Sequence, residues 1–147
     1  MAAIRRADMT WTGDLATGSG SVSAATSGVF TALPVSWPSR TEASDGQTSP
    51  EELVAAAHAS CYAMAFSGIL GRAGHPPQRL DVSAEVTFDK LDSGWKVVSS
   101  ALTVHGVVPG MSEPDFVAAA EQARDGCPIS GALKGNVELS VKATLGD

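Results

Sequence analysis

Cysteine is scarce in this sequence, with two among 147 residues, and aromatic side chains make up only 5% of it. Two cysteines in a chain of this length exclude a small disulfide scaffold. Basic runs are short as well, since the longest consists of Arg5 and Arg6. The net charge of the chain is −6. Such a chain cannot neutralise many phosphates, so we expect no nucleic-acid partner and no binding to acidic membranes.

The first residues also lack the apolar core of a signal peptide. We therefore expect a reducing, cytoplasmic location, where paired thiols tend to be catalytic or redox-active. The hydrophobic content of 44% is that of an ordinary globular protein. The length predicts one domain covering residues 1–147.

A long helix is predicted over residues 49–70. Ser49, Pro50 and Glu52 occupy the N-cap, first and third positions of a capping box. The 18 residues from 53 to 70 carry no charge, so the helix is apolar nearly all round and is expected to be buried. Its many Ala, Ser and Gly residues give little insertion free energy, which makes a membrane span the weaker interpretation.

Alternating apolar and polar residues predict strands before and after this helix. The predicted strands cover residues 4–11, 18–25, 29–35, 80–88, 95–108 and 137–145, with a polar loop at 40–47 and further helices at 112–124 and from 127. This order predicts an α+β fold in which an antiparallel sheet packs on a long central helix.

The two cysteines fall in different predicted settings. Cys61 lies in the middle of the long helix, where apolar burial raises the pKa of a thiol unless a cation is near. Cys127 precedes Pro128 at the start of a short helix. Composition alone favours the interpretation that both are small buried residues, as free cysteine often is.

The residues around both cysteines resemble the OsmC/Ohr family of thiol-dependent hydroperoxide reductases. Residues 48–61, which end in Ala-His-Ala-Ser-Cys, are similar to the active-site helix of that family. Residues 127–134, which begin Cys-Pro-Ile-Ser, are similar to its second cysteine motif, 66 positions after the first cysteine. Residues 11–14 (Trp-Thr-Gly-Asp) and 108–110 (Val-Pro-Gly) resemble the OsmC branch. The resemblance implies antiparallel sheets around a long central helix in an intertwined homodimer.

The same resemblance implies a peroxidase cycle without metal, flavin or haem. Cys61 would be the peroxidatic thiolate that converts an organic hydroperoxide to an alcohol and becomes a sulfenic acid. Cys127 would condense with that sulfenic acid to form a disulfide. A dithiol, in this family a dihydrolipoyl group, would reopen the disulfide by thiol–disulfide exchange.

Arg40 and Glu51 complete the implied site. Arg40 matches the OsmC branch, whose arginine precedes the helix and would stabilise the thiolate, whereas residues 18–20 lack the arginine of the Ohr branch. Glu51 matches the glutamate proposed to orient that arginine. Glu51 precedes Cys61 by ten residues, about 15 Å along a straight helix, so a loop or the partner chain must bridge the gap. A solvated Arg40 and a Glu51 that serves only the helix dipole stay open as alternatives.

His58, one turn before Cys61, leaves two other chemistries open. A Cys–His pair would act as a hydrolase, but no third, orienting residue is visible. A zinc site would need further ligands from His75, His105 and Cys127. We favour a structural, hydrogen-bonded His58 over both.

The last alternative concerns function as a whole. Met64 and Phe66 belong to the core or to the wall of a pocket that would suit a lipid-like peroxide. A non-catalytic stress or ligand-binding module, dimeric and with an apolar pocket at its interface, would show the same residues. Loss of free thiol under peroxide separates such a module from a peroxidase.

Overall fold

The computed structural model describes residues 1–147 and divides into two compact units, Met1–Pro50 and Glu51–Asp147. The single domain over 1–147 stays a prediction. In the first unit, three antiparallel strands form a sheet in the order β1-β2-β3. These strands span Asp8–Thr12, Ser19–Ser23 and Leu33–Val35. They are shorter than predicted, and turns and loops occupy the rest of residues 4–35.

A short helix, α1 (Trp37–Thr41), follows β3 where part of a polar loop was predicted at 40–47. Ser36 caps it, since its side chain accepts from the Ser39 N–H while the Ser39 hydroxyl accepts from the Ser36 N–H. Pro38 lies in the first turn, where a missing N–H costs nothing. The loop prediction was therefore wrong for residues 40 and 41, because a helix that begins near Pro38 continues to Thr41.

The long helix is confirmed as α2 (Pro50–Arg72), and the remaining elements follow in the predicted order. They are β4 (Arg79–Leu91), β5 (Gly94–Val107), α3 (Glu113–Gly126), α4 (Pro128–Leu133) and β6 (Glu138–Gly146). The three strands form a second sheet in the order β4-β5-β6. Thus the α+β class is confirmed, with one sheet in each unit.

The second sheet is mixed, which corrects the expectation of purely antiparallel sheets. The hairpin strands β4 and β5 pair antiparallel, but β5 and β6 pair parallel, with Leu102 opposite Val141. The segment that holds α3 and α4 carries the chain back to the end of the sheet from which β5 began. A crossover of this kind is what parallel pairing requires.

The core of the second unit lies between α2, α3 and the sheet. One face of α2 provides Tyr62 and Phe66, which are fully buried. The Phe66 ring lies 5.0 Å from the Phe116 ring of α3, centroid to centroid, and the Tyr62 hydroxyl donates to the Ala120 carbonyl at 3.1 Å. These contacts fix α2 against α3 and so position the residues that α2 carries.

Glycine is required at one point of this core. A Cβ added at Gly106 in β5 would lie 2.5 Å from the ring of Phe116. The ring therefore packs directly on the backbone of the sheet, which a larger residue at position 106 would prevent.

The opposite face of α2 is exposed in the single chain, so the prediction of burial all round holds for one face only. Its exposed residues are small or apolar, namely Ala56, Ala57, Ser60, Met64 and Ser67. By length and composition α2 could also cross a membrane, but the core helix of a soluble protein meets the same criterion. The packing of Tyr62 and Phe66 inside the second unit is that of a core helix.

Candidate active site

Cys61 and Cys127 are carried by two helices that meet in the second unit. Cys61 lies in the middle of α2 and is half-buried. Cys127 is 1% exposed and connects two helices, because it follows the last residue of α3 and is the N-cap of α4. Pro128 then occupies the first turn of α4, where its fixed φ suits the helix. The break between α3 and α4 thus brings a buried sulfur to the side of α2.

The structure brings the two cysteines together. Cys61 packs against the core cluster that contains Cys127, and the Cys127 thiol and the Ile129 N–H are the neighbours that act on the pKa of its sulfur. Both cysteines are free thiols. Two free thiols that are neighbours in one packed cluster are candidates for a disulfide.

The surroundings of Cys61 work against its ionisation. Burial raises the pKa of the Cys61 thiol, and the neighbouring Cys127 raises it further. The Ile129 N–H acts in the opposite direction, because it stabilises a thiolate, but the resulting pKa is still above that of a free thiol. A reactive Cys61 therefore needs a positive charge in addition to what these neighbours supply.

His58 forms a buried hydrogen-bond network beside this pair. Its Nδ1 lies 2.7 Å from the Ser100 hydroxyl of β5, and its Nε2 lies 2.8 Å from the Ser130 hydroxyl of α4. Burial lowers the pKa of His58, which favours the neutral ring. Both ring nitrogens are engaged by serines, so neither is left for Cys61 or for zinc. This geometry favours the structural interpretation of His58 over the hydrolase and zinc alternatives.

Arg40 and Glu51 are placed in different units. Arg40 lies in the last turn of α1, half-buried, with its guanidinium carbon 5.5 Å from the centre of the Trp37 ring. Glu51 lies in the first turn of α2 and is 7% exposed. Because α2 is continuous from Pro50 to Arg72, Glu51 keeps its separation of about 15 Å along the axis from the Cys61 of its own chain. The roles of Arg40 and Glu51 stay predictions.

Three site residues were not singled out from the sequence: Ser100, Ile129 and Ser130. Ser100 did leave a signal, because it continues the inward-facing set of β5 that includes Leu102 and Val104. A serine on the core face of a strand requires a hydrogen-bond partner. Ile129 acts through its backbone, which leaves no trace in the side-chain pattern.

The two apolar residues after Cys61 have different surroundings. Phe66 is fully buried and belongs to the core, as expected. Met64 is 71% exposed and borders a shallow cavity of about 440 Å³ that also involves Pro77 and Leu80. Met64 is therefore part of a cavity wall at the surface of the single chain.

Comparison with known proteins places this chain in a family. The family model described as OsmC-like protein matches residues 43–142. Peroxiredoxin OsmC of Escherichia coli (strain K12) is 41% identical over 129 residues, which cover 88% of this chain and 89% of the relative. This relative confirms the resemblance to the OsmC branch.

Solved structures share the fold. OhrB of Bacillus subtilis, an organic hydroperoxide resistance protein, matches with a TM-score of 0.74 and 23% identity, covering 95% of this chain and 98% of its own. An organic hydroperoxide resistance protein OsmC of Legionella pneumophila matches with a TM-score of 0.70 and 22% identity, covering 97% and 99%. The family model and the 41% identical relative cover most of the sequence, and this chain therefore belongs to the family of OsmC-like proteins.

Proposed function

We propose that this protein is a thiol-dependent peroxidase that reduces organic hydroperoxides to alcohols. The packing of Cys61 against the cluster that contains Cys127, with both thiols free, is the observation that carries the proposal. The names of its relatives, a peroxiredoxin and two organic hydroperoxide resistance proteins, support the same chemistry. The protein would act as an antioxidant enzyme in the response to oxidative stress.

The first step consumes the peroxide. The Cys61 thiolate attacks the terminal oxygen of the hydroperoxide, an S–O bond forms and the O–O bond breaks. The leaving alkoxide takes a proton and becomes an alcohol, while Cys61 becomes a sulfenic acid. The two electrons come from the sulfur, so the step needs no metal or organic cofactor.

The second step uses the neighbouring sulfur. The Cys127 thiolate attacks the Cys61 sulfur, an S–S bond forms and the S–O bond breaks, and the leaving hydroxide takes up a proton to become water. A dithiol, proposed to be a dihydrolipoyl group on a protein, then reopens the disulfide by exchange and is itself oxidised. Because this recycling requires a reducing compartment, we place the protein in the cytoplasm.

Activation of Cys61 is assigned to Arg40, oriented by Glu51. The raised pKa of the Cys61 thiol creates the need for a cation. A guanidinium beside the sulfur would stabilise the thiolate and so lower the pKa of the Cys61 thiol, and it would do so at every working pH because Arg stays charged.

Arg40→Ala is expected to slow peroxide consumption at neutral pH, by about tenfold for each unit by which the Cys61 pKa rises. The thiolate is the nucleophile, so the rate climbs as pH rises through that pKa, and the profile of the variant should shift to higher pH. Stopped-flow reaction of reduced protein with cumene hydroperoxide measures the profile.

Two variants serve as controls for Arg40. Arg40→Lys keeps the charge and should shift the profile less. Arg79→Ala removes an exposed arginine that is paired with Asp81 and should leave the profile unchanged. An unchanged profile in Arg40→Ala would remove Arg40 from the mechanism.

We also propose that the protein is a homodimer whose helices α2 pack together. The exposed face of α2, with Ala56, Ala57 and Met64, supports this because small side chains allow two helices to approach closely. A partner chain would also offer a Glu51 that the chain's own helix keeps away from Cys61. Sedimentation equilibrium should give twice the chain mass of 15.0 kDa, whereas a monomer mass would contradict the proposal.

The test of the function is a single turnover of the reduced protein with cumene hydroperoxide. A peroxidase yields about one equivalent of alcohol and loses both thiols. A non-catalytic ligand-binding module would keep both thiols and yield no alcohol. Retention of both thiols without alcohol formation would contradict the proposed peroxidase activity and favour a ligand-binding function.

A further inference from the structure

His58 links the helix of one cysteine to the helix of the other. Its ring is 0% exposed, and its two nitrogens lie 2.7 Å from the Ser100 hydroxyl and 2.8 Å from the Ser130 hydroxyl. A neutral imidazole has one donor and one acceptor, so one serine donates and the other accepts. The ring thus makes its full set of hydrogen bonds and connects α2 to β5 and to α4.

The bond to Ser130 is important because it joins a buried side chain of α4 to α2, beside the packing of Ile129 on the core. This helix has six residues, and Ser130 is its one buried side chain. Cys127 caps α4, and Ile129 lies in its first turn. Both residues are neighbours of Cys61 in the packed cluster, Cys127 through its thiol and Ile129 through its backbone N–H. The position of α4 therefore sets the surroundings of Cys61 and the approach of the second sulfur.

We infer that His58 is a positioning residue for disulfide formation, because its bond to Ser130 holds α4 against α2 with Cys127 in reach of the oxidised Cys61. This inference rests on the proposed function. The step it serves joins the Cys127 sulfur to the Cys61 sulfenic sulfur as the S–O bond breaks and hydroxide leaves to become water. The hydroperoxide consumed in the first step is the oxidant.

Two serines that share one ring provide a matched pair of variants. Ser130→Ala and Ser100→Ala each remove one buried hydroxyl from His58, but only the first releases α4. With one equivalent of cumene hydroperoxide, Ser130→Ala should form the disulfide about five- to tenfold more slowly than wild type, a factor typical of one lost hydrogen bond. Ser100→Ala should stay within about twofold, although both variants lose comparable thermal stability.

A double-mutant cycle tests whether His58 acts through Ser130. His58→Asn should slow disulfide formation, and adding Ser130→Ala to it should slow the step no further. Additive slowing would show that the two residues act separately and would overturn the inference. Equal slowing in Ser130→Ala and Ser100→Ala would overturn it too, because the effect would then be one of general stability.

A second readout does not depend on peroxidase activity. Equilibration of the two protein thiols with oxidised and reduced glutathione gives the effective concentration of Cys127 toward Cys61. Ser130→Ala should lower this value by about five- to tenfold, and Ser100→Ala should leave it within about twofold. A wild-type protein that consumes no peroxide would refute the proposed function. Equal glutathione equilibria in wild type and Ser130→Ala would refute the role of His58.

Discussion

Cys61→Ser is expected to lower the rate of peroxide consumption by at least about 10³-fold, because a hydroxyl at this position is not ionised and is a far weaker nucleophile than a thiolate. The Ile129 N–H that lowers the pKa of the thiol would still be present, but it would have no nucleophile to stabilise. Stopped-flow measurement of hydroperoxide loss, with alcohol quantified by chromatography, gives the rate.

Cys127→Ser is the matched control for this variant, since it makes the same change at the other sulfur. Cys61 is half-buried, so the unfolding midpoint of Cys61→Ser should stay close to that of the wild type, whereas Cys127→Ser should lower the midpoint because it places a hydroxyl in the apolar core. If Cys61→Ser retained the wild-type rate of alcohol formation, Cys61 would not be the peroxidatic residue, and the assignment of the two roles would have to be reversed or abandoned.

Cys127→Ser is expected to consume about one equivalent of hydroperoxide and then stop. The first step needs only Cys61, and it should not be slowed, because Cys127 raises the pKa of Cys61 and does not lower it. Without the second sulfur the sulfenic acid cannot form the internal disulfide. Only with peroxide in excess should a second, slower equivalent be consumed, as the sulfenic acid is oxidised to the sulfinic acid.

Mass spectrometry of the Cys61 peptide distinguishes these states. One added oxygen marks the sulfenic acid and two mark the sulfinic acid, whereas the wild type should accumulate the disulfide under the same conditions. Continued turnover of Cys127→Ser at the wild-type rate with a dithiol present would mean that the dithiol reduces the sulfenic acid directly, and Cys127 would lose its role.

Much of the fold could be predicted because local signals agreed with tertiary structure. The capping residues and the uncharged run predicted α2, and the alternation of residues 80–88 and 95–108 predicted the hairpin β4–β5. The parallel pairing of β6 could not be predicted in the same way. A strand that alternates looks the same whether its neighbour runs parallel or antiparallel, so the direction depends on the path of the chain through α3 and α4.

The helix α1 was missed for a local reason. A proline at position 38 is compatible both with the end of a strand and with the first turn of a helix, and the capping by Ser36 and Ser39 decides between the two.

The exposed face of α2 could not be predicted for another reason. Sequence predicts an apolar helix, but it does not tell which face is covered by the same chain.

Some residues of the candidate site could be predicted from the sequence and others could not. The pairing of Cys61 with Cys127 was predicted from the family resemblance, and the structure packs Cys61 against the cluster that contains Cys127. The network of His58, Ser100 and Ser130 spans three elements that are far apart in sequence. No spacing rule connects such residues, although a histidine on the core side of α2 and a serine on the core side of β5 each require a polar partner.

Desolvation of the Cys61 thiol opposes its ionisation, and this conflict is the main physical constraint on the site. Partial burial reduces the contact of Cys61 with water, but it also raises the pKa of the thiol and so reduces the fraction of reactive thiolate. The Ile129 N–H recovers part of this loss. The remainder is what the proposed Arg40 would supply.

Peptide mapping under non-reducing conditions tests the central claim most directly. Reduced wild-type protein is mixed with one equivalent of cumene hydroperoxide, its remaining thiols are blocked, and it is digested. We expect a Cys61–Cys127 disulfide within one chain and about one equivalent of cumyl alcohol. Two free, alkylated cysteines after complete mixing, or a disulfide only between chains, would contradict the account.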